Sequence, residues 1–247
     1  LLILFLSHYS HQTFVMIKYF SKEKPNYYNK KEIIMKKEIN HYINKSIFIT
    51  ATNTDVGKTY ACEKILRYFA KAGLKVGYFK PCETGVVDFP LDGMKMLNLV
   101  KELNPLFKAE IFDVVPYQFK LPAAPYVAKE NTIIDINYLK EKKEFLQTMC
   151  DVLIIEGAGG LMVPIEKDLF IIDLIKEFDC EAILVTPSKL GCINDTLLSI
   201  NALKNKNIDF EFYINLYQDI DSFEKVSKPF LIDYFGKLNF LQDLEKL

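Results

Sequence analysis

Residues 46–72 read SIFITATNTDVGKTYACEKILRYFAKA. The run opens on Ile47, Phe48 and Ile49, the branched and aromatic composition of a buried strand. A polar loop comes next and ends in Gly57-Lys58-Thr59. Beyond it Ala61, Ile65, Leu66, Phe69 and Ala72 recur at helical spacing, with Gly73 as a helix stop. Strand, loop, GKT and helix in that order is the setting of a phosphate-binding loop. Amide N–H groups at the helix start face the phosphates, Lys58 neutralises charge, and the Thr59 hydroxyl reaches Mg²⁺. The full G-x-x-x-x-G-K-[ST] pattern is not met, because Thr52 stands at its first glycine. Taken alone, the stretch also fits an ordinary strand–helix turn with a lysine in its first turn. The rest of the chain has to decide.

The chain has 247 residues, half of them hydrophobic, enough for a sizeable core with no linker to cut at. Its net charge of −1 gives no basic field for nucleic acid. Arg67 is the one arginine, so a phosphate clamp must use lysines, backbone amides and metal. Cys62, Cys82, Cys150, Cys180 and Cys192 are scattered without a C-x-x-C, which argues against a disulfide framework or zinc site and fits a reducing compartment. His8, His11 and His41 all precede the first strand, which excludes a histidine triad from the body of the protein.

Residues 1–45 differ in character from the remainder of the chain. Residues 1–6 are apolar but far short of the ~20 needed to span a bilayer, and no small-residue cleavage site stands after them. Residues 18–45 are crowded with Lys, Asn and Tyr and have no clear period. The first residue is not Met, whereas Met16 and Met35 are internal. We expect residues 1–45 to be a disordered or artefactual extension, with the natural product beginning at or near Met35, and residues 46–247 to form a single domain.

From Ser46 onward strands and helices alternate. Residues 75–79 form a second apolar run ending in Lys80-Pro81-Cys82-Glu83-Thr84-Gly85, and Asp92 leads into a helix carrying Met96, Leu97, Val100 and Leu103. Residues 116–125 read as a proline-punctuated loop and 135–150 as an amphipathic helix. DVLIIE at 151–156 is an unbroken apolar strand ending in a carboxylate. Residues 169–178 read as helix, 182–185 as strand, 192–203 as helix and 210–214 as strand. Unbroken apolar runs imply burial on both faces, so the fold class is α/β, a mainly parallel sheet flanked by helices on both faces. In such sheets ligands sit outside the carboxyl ends of the strands, which collects Asp55, Lys58, Thr59, Lys80, Thr84 and Glu156. Asp92 reads on its own as a helix N-cap. Two carboxylates, a hydroxyl and two lysines around such a loop make a Mg²⁺–nucleotide site.

The segments TATNTDVGKT at 50–59, GYFKPCETG at 77–85, AAPY at 123–126, EGAGGLMVP at 156–164, KLGCIN at 189–194 and a strand ending at Asn215 occur together and in order. In these the chain resembles the ATP-dependent dethiobiotin synthetase family, P-loop ATPases related to the nitrogenase iron protein and MinD. The resemblance implies a P-loop NTPase fold and a cytoplasmic ligase of biotin biosynthesis. It would turn 7,8-diaminopelargonic acid, CO₂ and ATP into dethiobiotin, ADP and phosphate through a carbamate and a carbamic-phosphoric anhydride. By the same resemblance Lys58 and Lys80 are catalytic, and Thr59, Asp92 and Glu156 hold Mg²⁺. The nucleotide is held by Asp55, Val56, Gly57, Lys58, Thr59, Tyr60, Asp92, Glu156 and Gly159, with Asn215 and the covering run Asn239-Phe240-Leu241 at the base. Thr84 and Gly160 contact substrate, and Gly191, Cys192, Ile193 and Asn194 bind its carboxylate through helix N-terminal amides across a homodimer interface. Small molecules are the implied partners, with neither nucleic acid nor membrane.

Departures from the family pattern are Ala51 for glycine, Asp55 for glutamate, Thr84 for serine, Tyr126 for histidine, Leu216 for a polar residue and Asn239 for proline. Those at 216 and 239 leave other nucleoside triphosphates open as substrates. The alternative is a MinD/ParA-like switch, in which ATP drives dimerisation and binding of a partner or membrane. That class carries a second lysine early in its P-loop, and residues 50–56 contain none. An amidoligase of the cobyrinic acid type would need a glutaminase domain, which the length and the missing histidines refuse.

Overall fold

A computed structural model describes residues 39–245. In chain order the strands are β1 (Lys45–Ala51), β2 (Val76–Phe79), β3 (Cys82–Thr84), β4 (Tyr117–Phe119), β5 (Val152–Glu156), β6 (Pro164–Glu166), β7 (Leu169–Phe170), β8 (Glu181–Pro187) and β9 (Phe210–Asn215). The helices are α1 (Lys58–Lys71), α2 (Leu91–Leu103), α3 (Ile111–Val114), α4 (Pro125–Ala128), α5 (Ile136–Gln147), α6 (Ile171–Glu177), α7 (Cys192–Asn205), α8 (Ile220–Ser222) and α9 (Lys228–Phe235). Five strands form one sheet in the order β2-β5-β1-β8-β9, and every pair is parallel.

Burial explains the unbroken apolar runs. Every residue of β2 and β5 is buried, as is β1 from Ser46 onward. Odd and even side chains alike are covered, so neither face of the sheet centre meets water. On α1 the stripe Ala61, Cys62, Ile65, Leu66 and Phe69 is buried at helical spacing, and Gly73 (φ 90°) ends the helix. The strand order puts β1 between β5 and β8, with the chain first filling one side and then the other. Parallel strands turn all their carboxyl ends to one edge, and the crevice beside β1 is the switch point where such sheets take ligands.

Two short ladders lie where no strand is expected. Tyr117–Phe119, in the supposed loop 116–125, pairs in parallel with Cys82–Thr84, and Pro125 opens α4 at the end of that loop. Leu169–Phe170, assigned to a helix, pairs antiparallel with Pro164–Glu166. The helix starts at Ile171 because the Asp173 carboxylate accepts the Phe170 N–H at 2.9 Å. Ladders of two or three residues are too short to show a period.

The expectation for residues 1–38 lies outside the described residues. Of residues 39–45, placed in the same extension, Ile39–Tyr42 forms a 3₁₀ turn and Tyr42 is 1% exposed with its ring 4.9 Å from that of Phe69, while Ile43, Asn44 and Lys45 face solvent. Among the described residues no helix is long and apolar enough to cross a membrane.

The Tyr42 hydroxyl is buried without a hydrogen-bond partner, which separates its ring from its polar atom. Tyr42→Ala should cost about 3–5 kcal/mol in denaturant unfolding. Tyr42→Phe should be neutral or slightly stabilising, since it removes an unsatisfied group.

Candidate active site

The P-loop leaves β1 at Ala51. Positive φ falls at Asp55 (56°) and Gly57 (101°), not at Thr52. Thr52 still donates its N–H to the Val185 carbonyl at 3.0 Å, continuing the sheet pairing, so a glycine there is not needed. Gly57 is needed twice over: its φ is left-handed, and a Cβ would stand 2.3 Å from Asn215 Nδ2. The loop is braced from outside, as Asn215 Nδ2 donates to the Val56 carbonyl at 3.0 Å and the Tyr217 hydroxyl donates to that of Asp55. Lys58 Nζ folds back toward the Asn53 carbonyl at 3.4 Å.

Lys80 stands directly after β2, its N–H held by the Val114 carbonyl at 2.8 Å. Its ammonium reaches Glu156 Oε1 at 2.8 Å and Asp92 Oδ2 at 2.9 Å. Glu156, at the end of β5, is 1% exposed and also accepts the hydroxyls of Thr59 (2.9 Å) and Tyr78 (2.8 Å). Asp92 is not an N-cap: α2 begins at Leu91 after Pro90, and the Asp92 side chain turns to Lys80. Glu83 accepts the N–H groups of Asp92 (3.1 Å) and Gly93 (2.9 Å).

Electrostatics derive from that geometry. Burial would lower Lys80, but Glu156 and Asp92 outweigh it and hold the ammonium above its ordinary value. Burial pushes Lys58 down; the pull of Glu156 opposes this and repulsion from Lys80 adds to it. Burial alone would raise Asp92, yet Lys80 and the Thr59 hydroxyl hold it below the usual carboxylate range. For Glu83 burial prevails over Lys80 and the two amides, and its carboxyl is raised.

These groups surround a cleft of about 460 Å³. Of the residues expected from sequence, Asp55, Gly57, Lys58, Thr59, Lys80, Thr84, Asp92, Glu156 and Gly159 line it. Others stand apart. Val56 is buried behind the loop, and Tyr60 lies half-buried on α1 under the Lys64 ammonium. Gly160 packs against the P-loop backbone, where a Cβ would meet the Thr52 carbonyl oxygen at 3.2 Å. Asn239, Phe240 and Leu241 run beside the end of β9: the Asn239 carbonyl accepts the Ile214 N–H at 2.8 Å, Phe240 bridges to Ile214, and Leu241 is buried. Gly191, Cys192, Ile193 and Asn194 open α7 away from the cleft lining, with Gly191 (φ 93°) at its N-cap and no side chain capping it.

Tyr78, Glu83, Tyr217 and Gln242 belong to the site although sequence reasoning does not single them out. The first two lie inside the run GYFKPCETG, where Tyr78 reads as part of an apolar strand and Glu83 has no period to distinguish it. Gln242 donates to Asn215 Oδ1 at 3.0 Å and carries no local signal at all.

Residues 45–246 match a family described as an AAA domain. The chain is 50% identical over 186 residues to the ATP-dependent dethiobiotin synthetase BioD of Sulfurovum sp., covering 75% of this chain and 89% of that one. To the protein of the same name from Wolinella succinogenes it is 37% identical over 189 residues, covering 75% and 88%. Among solved structures, a plasmid partition protein from Borrelia burgdorferi superposes with a TM-score of 0.50 at 12% identity, covering 81% and 94%; that likeness concerns the fold alone.

Lys80→Met would leave the buried Glu156 carboxylate without its nearest counter-charge. Urea unfolding at neutral pH should show a loss of about 3–5 kcal/mol, partly recovered by adding Glu156→Gln, since removing both ions of a buried pair costs far less than removing one.

Proposed function

Because the chain belongs to the ATP-dependent dethiobiotin synthetases, we propose that its cleft carboxylates and closes 7,8-diaminopelargonic acid at the expense of ATP. The chain is an ATP-dependent ligase that forms C–N bonds, and its product, dethiobiotin, places it in biotin biosynthesis. The observation that carries the division of roles is the buried Lys80 ammonium, 2.8 Å from Glu156 and 2.9 Å from Asp92, on a cleft shared with the P-loop.

In this reading one amine of the diamine attacks CO₂ and loses a proton, giving a carbamate. A carbamate oxygen attacks the γ-phosphorus of ATP, the bond to the β-phosphate oxygen breaks, and ADP leaves. The second amine then attacks the carbonyl carbon of the carbamic-phosphoric anhydride, the ring closes and phosphate departs. No protein nucleophile is called for, so catalysis is positioning and charge stabilisation. Lys58 and the amides of the loop hold the phosphates. Lys80 steadies the carbamate and the transferring phosphoryl group, and Thr84 meets the diamine end.

Mg²⁺ fits the donor set: the Asp92 and Glu156 carboxylates, which meet at Lys80, and the Thr59 hydroxyl, which bonds to Glu156, are hard oxygen donors. Mg²⁺ keeps several waters and takes substrate phosphates among its ligands, so a few protein oxygens suffice to hold it. When bound, Mg²⁺ supplies charge neutralisation at the phosphate oxygens. In this reading Asn215 serves the adenine end of the nucleotide, with Asn239-Phe240-Leu241 beside it. A second copy of the chain would bring the start of α7, at Gly191, Cys192, Ile193 and Asn194, to the substrate carboxylate, an arrangement favoured by the positive end of a 14-residue helix. In this reading the enzyme works in the cytoplasm on small molecules, with neither nucleic acid nor membrane as a partner. The ParA-like switch reading keeps only the fold in its favour, since residues 50–56 carry no lysine.

With the diamine, bicarbonate, Mg²⁺ and ATP, ADP release should depend on the diamine and the product mass should be that of dethiobiotin. Release indifferent to the diamine would return the switch reading. Lys58→Ala and Lys80→Ala should each lower turnover by at least about 10²–10³-fold; an unaffected Lys80→Ala enzyme would remove the role given to that residue.

A further inference from the structure

We propose that Glu83 is a positioning residue, which fixes the first turn of α2 and thereby aims the Asp92 carboxylate at the phosphate cleft. The inference rests on the reading of Asp92 as part of the Mg²⁺-bearing site.

Helix α2 starts after Pro90, which has no side-chain acceptor, so the N–H groups of its first turn need a partner from elsewhere. Glu83 supplies it from β3. One oxygen takes the Asp92 N–H at 3.1 Å and the other the Gly93 N–H at 2.9 Å. Glu83 is 7% exposed, a burial that is costly unless the charge is hydrogen-bonded. Two charge-assisted bonds at the positive end of a 13-residue helix meet that need. Contact is close enough to dictate sequence: a Cβ on Gly93 would lie 2.2 Å from Val115 Cγ2 and 3.2 Å from Glu83 Oε2. The carboxylate therefore meets helix backbone at a residue with no side chain in the way.

The segment that joins Glu83 to α2 is held at Gly85 and Val86, whose N–H groups go to the Leu121 and Phe119 carbonyls, and turns outward from Val87. Val87 is 81% exposed, and Phe89 and Leu91 also face solvent. Asp92 is itself half-exposed and touches the site through its 2.9 Å pair with Lys80. Glu83 thus ties the two ends of a solvent-facing loop together at the residue whose carboxylate must stay aimed. Both of its oxygens are engaged by the helix, whereas Asp92 Oδ2 and Glu156 Oε1 accept from Lys80, so Glu83 acts through Asp92 and not on the ligand.

The test compares the full chain with Glu83→Ala, Glu83→Gln and Asp92→Asn. The first measurement is the Mg²⁺ dependence of ADP release at saturating ATP, diamine and bicarbonate. The second is amide hydrogen exchange across residues 91–95 with neither Mg²⁺ nor nucleotide. Glu83→Ala should raise the Mg²⁺ half-saturation on the order of 10–100-fold, the usual effect of losing a group that orients a metal ligand. Turnover should largely return at saturating Mg²⁺, and exchange should quicken at Asp92 and Gly93 while α1 and α5 stay protected. Glu83→Gln keeps one acceptor and should fall between; it carries the test if the alanine variant does not fold. If Asp92→Asn shifts the Mg²⁺ dependence and neither Glu83 variant does, the positioning role fails by itself. If Asp92→Asn leaves it unchanged, the metal reading of Asp92 falls and the role of Glu83 with it. Lost turnover at an unchanged Mg²⁺ half-saturation would also overturn it.

Discussion

Lys80 and Glu156 meet at 2.8 Å inside the protein, 5% and 1% exposed. They do so because β2 and β5 are parallel neighbours in register from Val76 and Val152 to Phe79 and Ile155, so the next residue of each strand carries one charge of the pair. Neither ion could be buried alone, since desolvating one unpaired charge costs several kcal/mol. Together, with the Thr59 and Tyr78 hydroxyls on the carboxylate and Asp92 on the ammonium, they form a polar centre at the carboxyl edge of an apolar sheet. The P-loop helix, the end of β5 and the start of α2 are all tied to it, so one charge centre holds three elements of the cleft together.

The rest of the site is held by reinforcement from a distance. Asn215 and Tyr217, at and just beyond the end of β9, bond to carbonyls of the P-loop, and Gln242 in turn holds Asn215. On the other side Glu83 holds the start of α2. In each case a side chain from a different element satisfies backbone groups that the loop or helix end leaves open, which makes irregular backbone stiff without lengthening any helix or strand.

The fold was legible because the sheet is parallel and covered on both faces. Burial on both sides writes itself into the chain as unbroken apolar runs such as 151–156, and β1, β2, β5, β8 and β9 lie where those runs stand. The site was legible for the same reason at one remove: a polar residue at the end of such a run has to lie at the shared edge, and Lys80 and Glu156 do. β3–β4 and β6–β7 were not legible, as two or three residues carry no period. Nor was the packing of Tyr42 against Phe69, because one aromatic in a Lys- and Asn-rich run looks like any other.

By itself the sequence determined the strand–helix alternation, the phosphate loop, the family and most of the cleft lining, since all of these depend on neighbours along the chain or on residues next to strand ends. Only the tertiary structure decided that Asp92 serves Lys80 and does not cap a helix, that Glu83 supplies the missing cap, that Thr52 needs no glycine, and that Gln242 stands behind Asn215. Each of those is a contact between residues 9 to 133 positions apart or a backbone angle set by pairing with another strand. A sequence records such partners as single unremarkable letters, and it is the sheet that brings them within hydrogen-bonding distance.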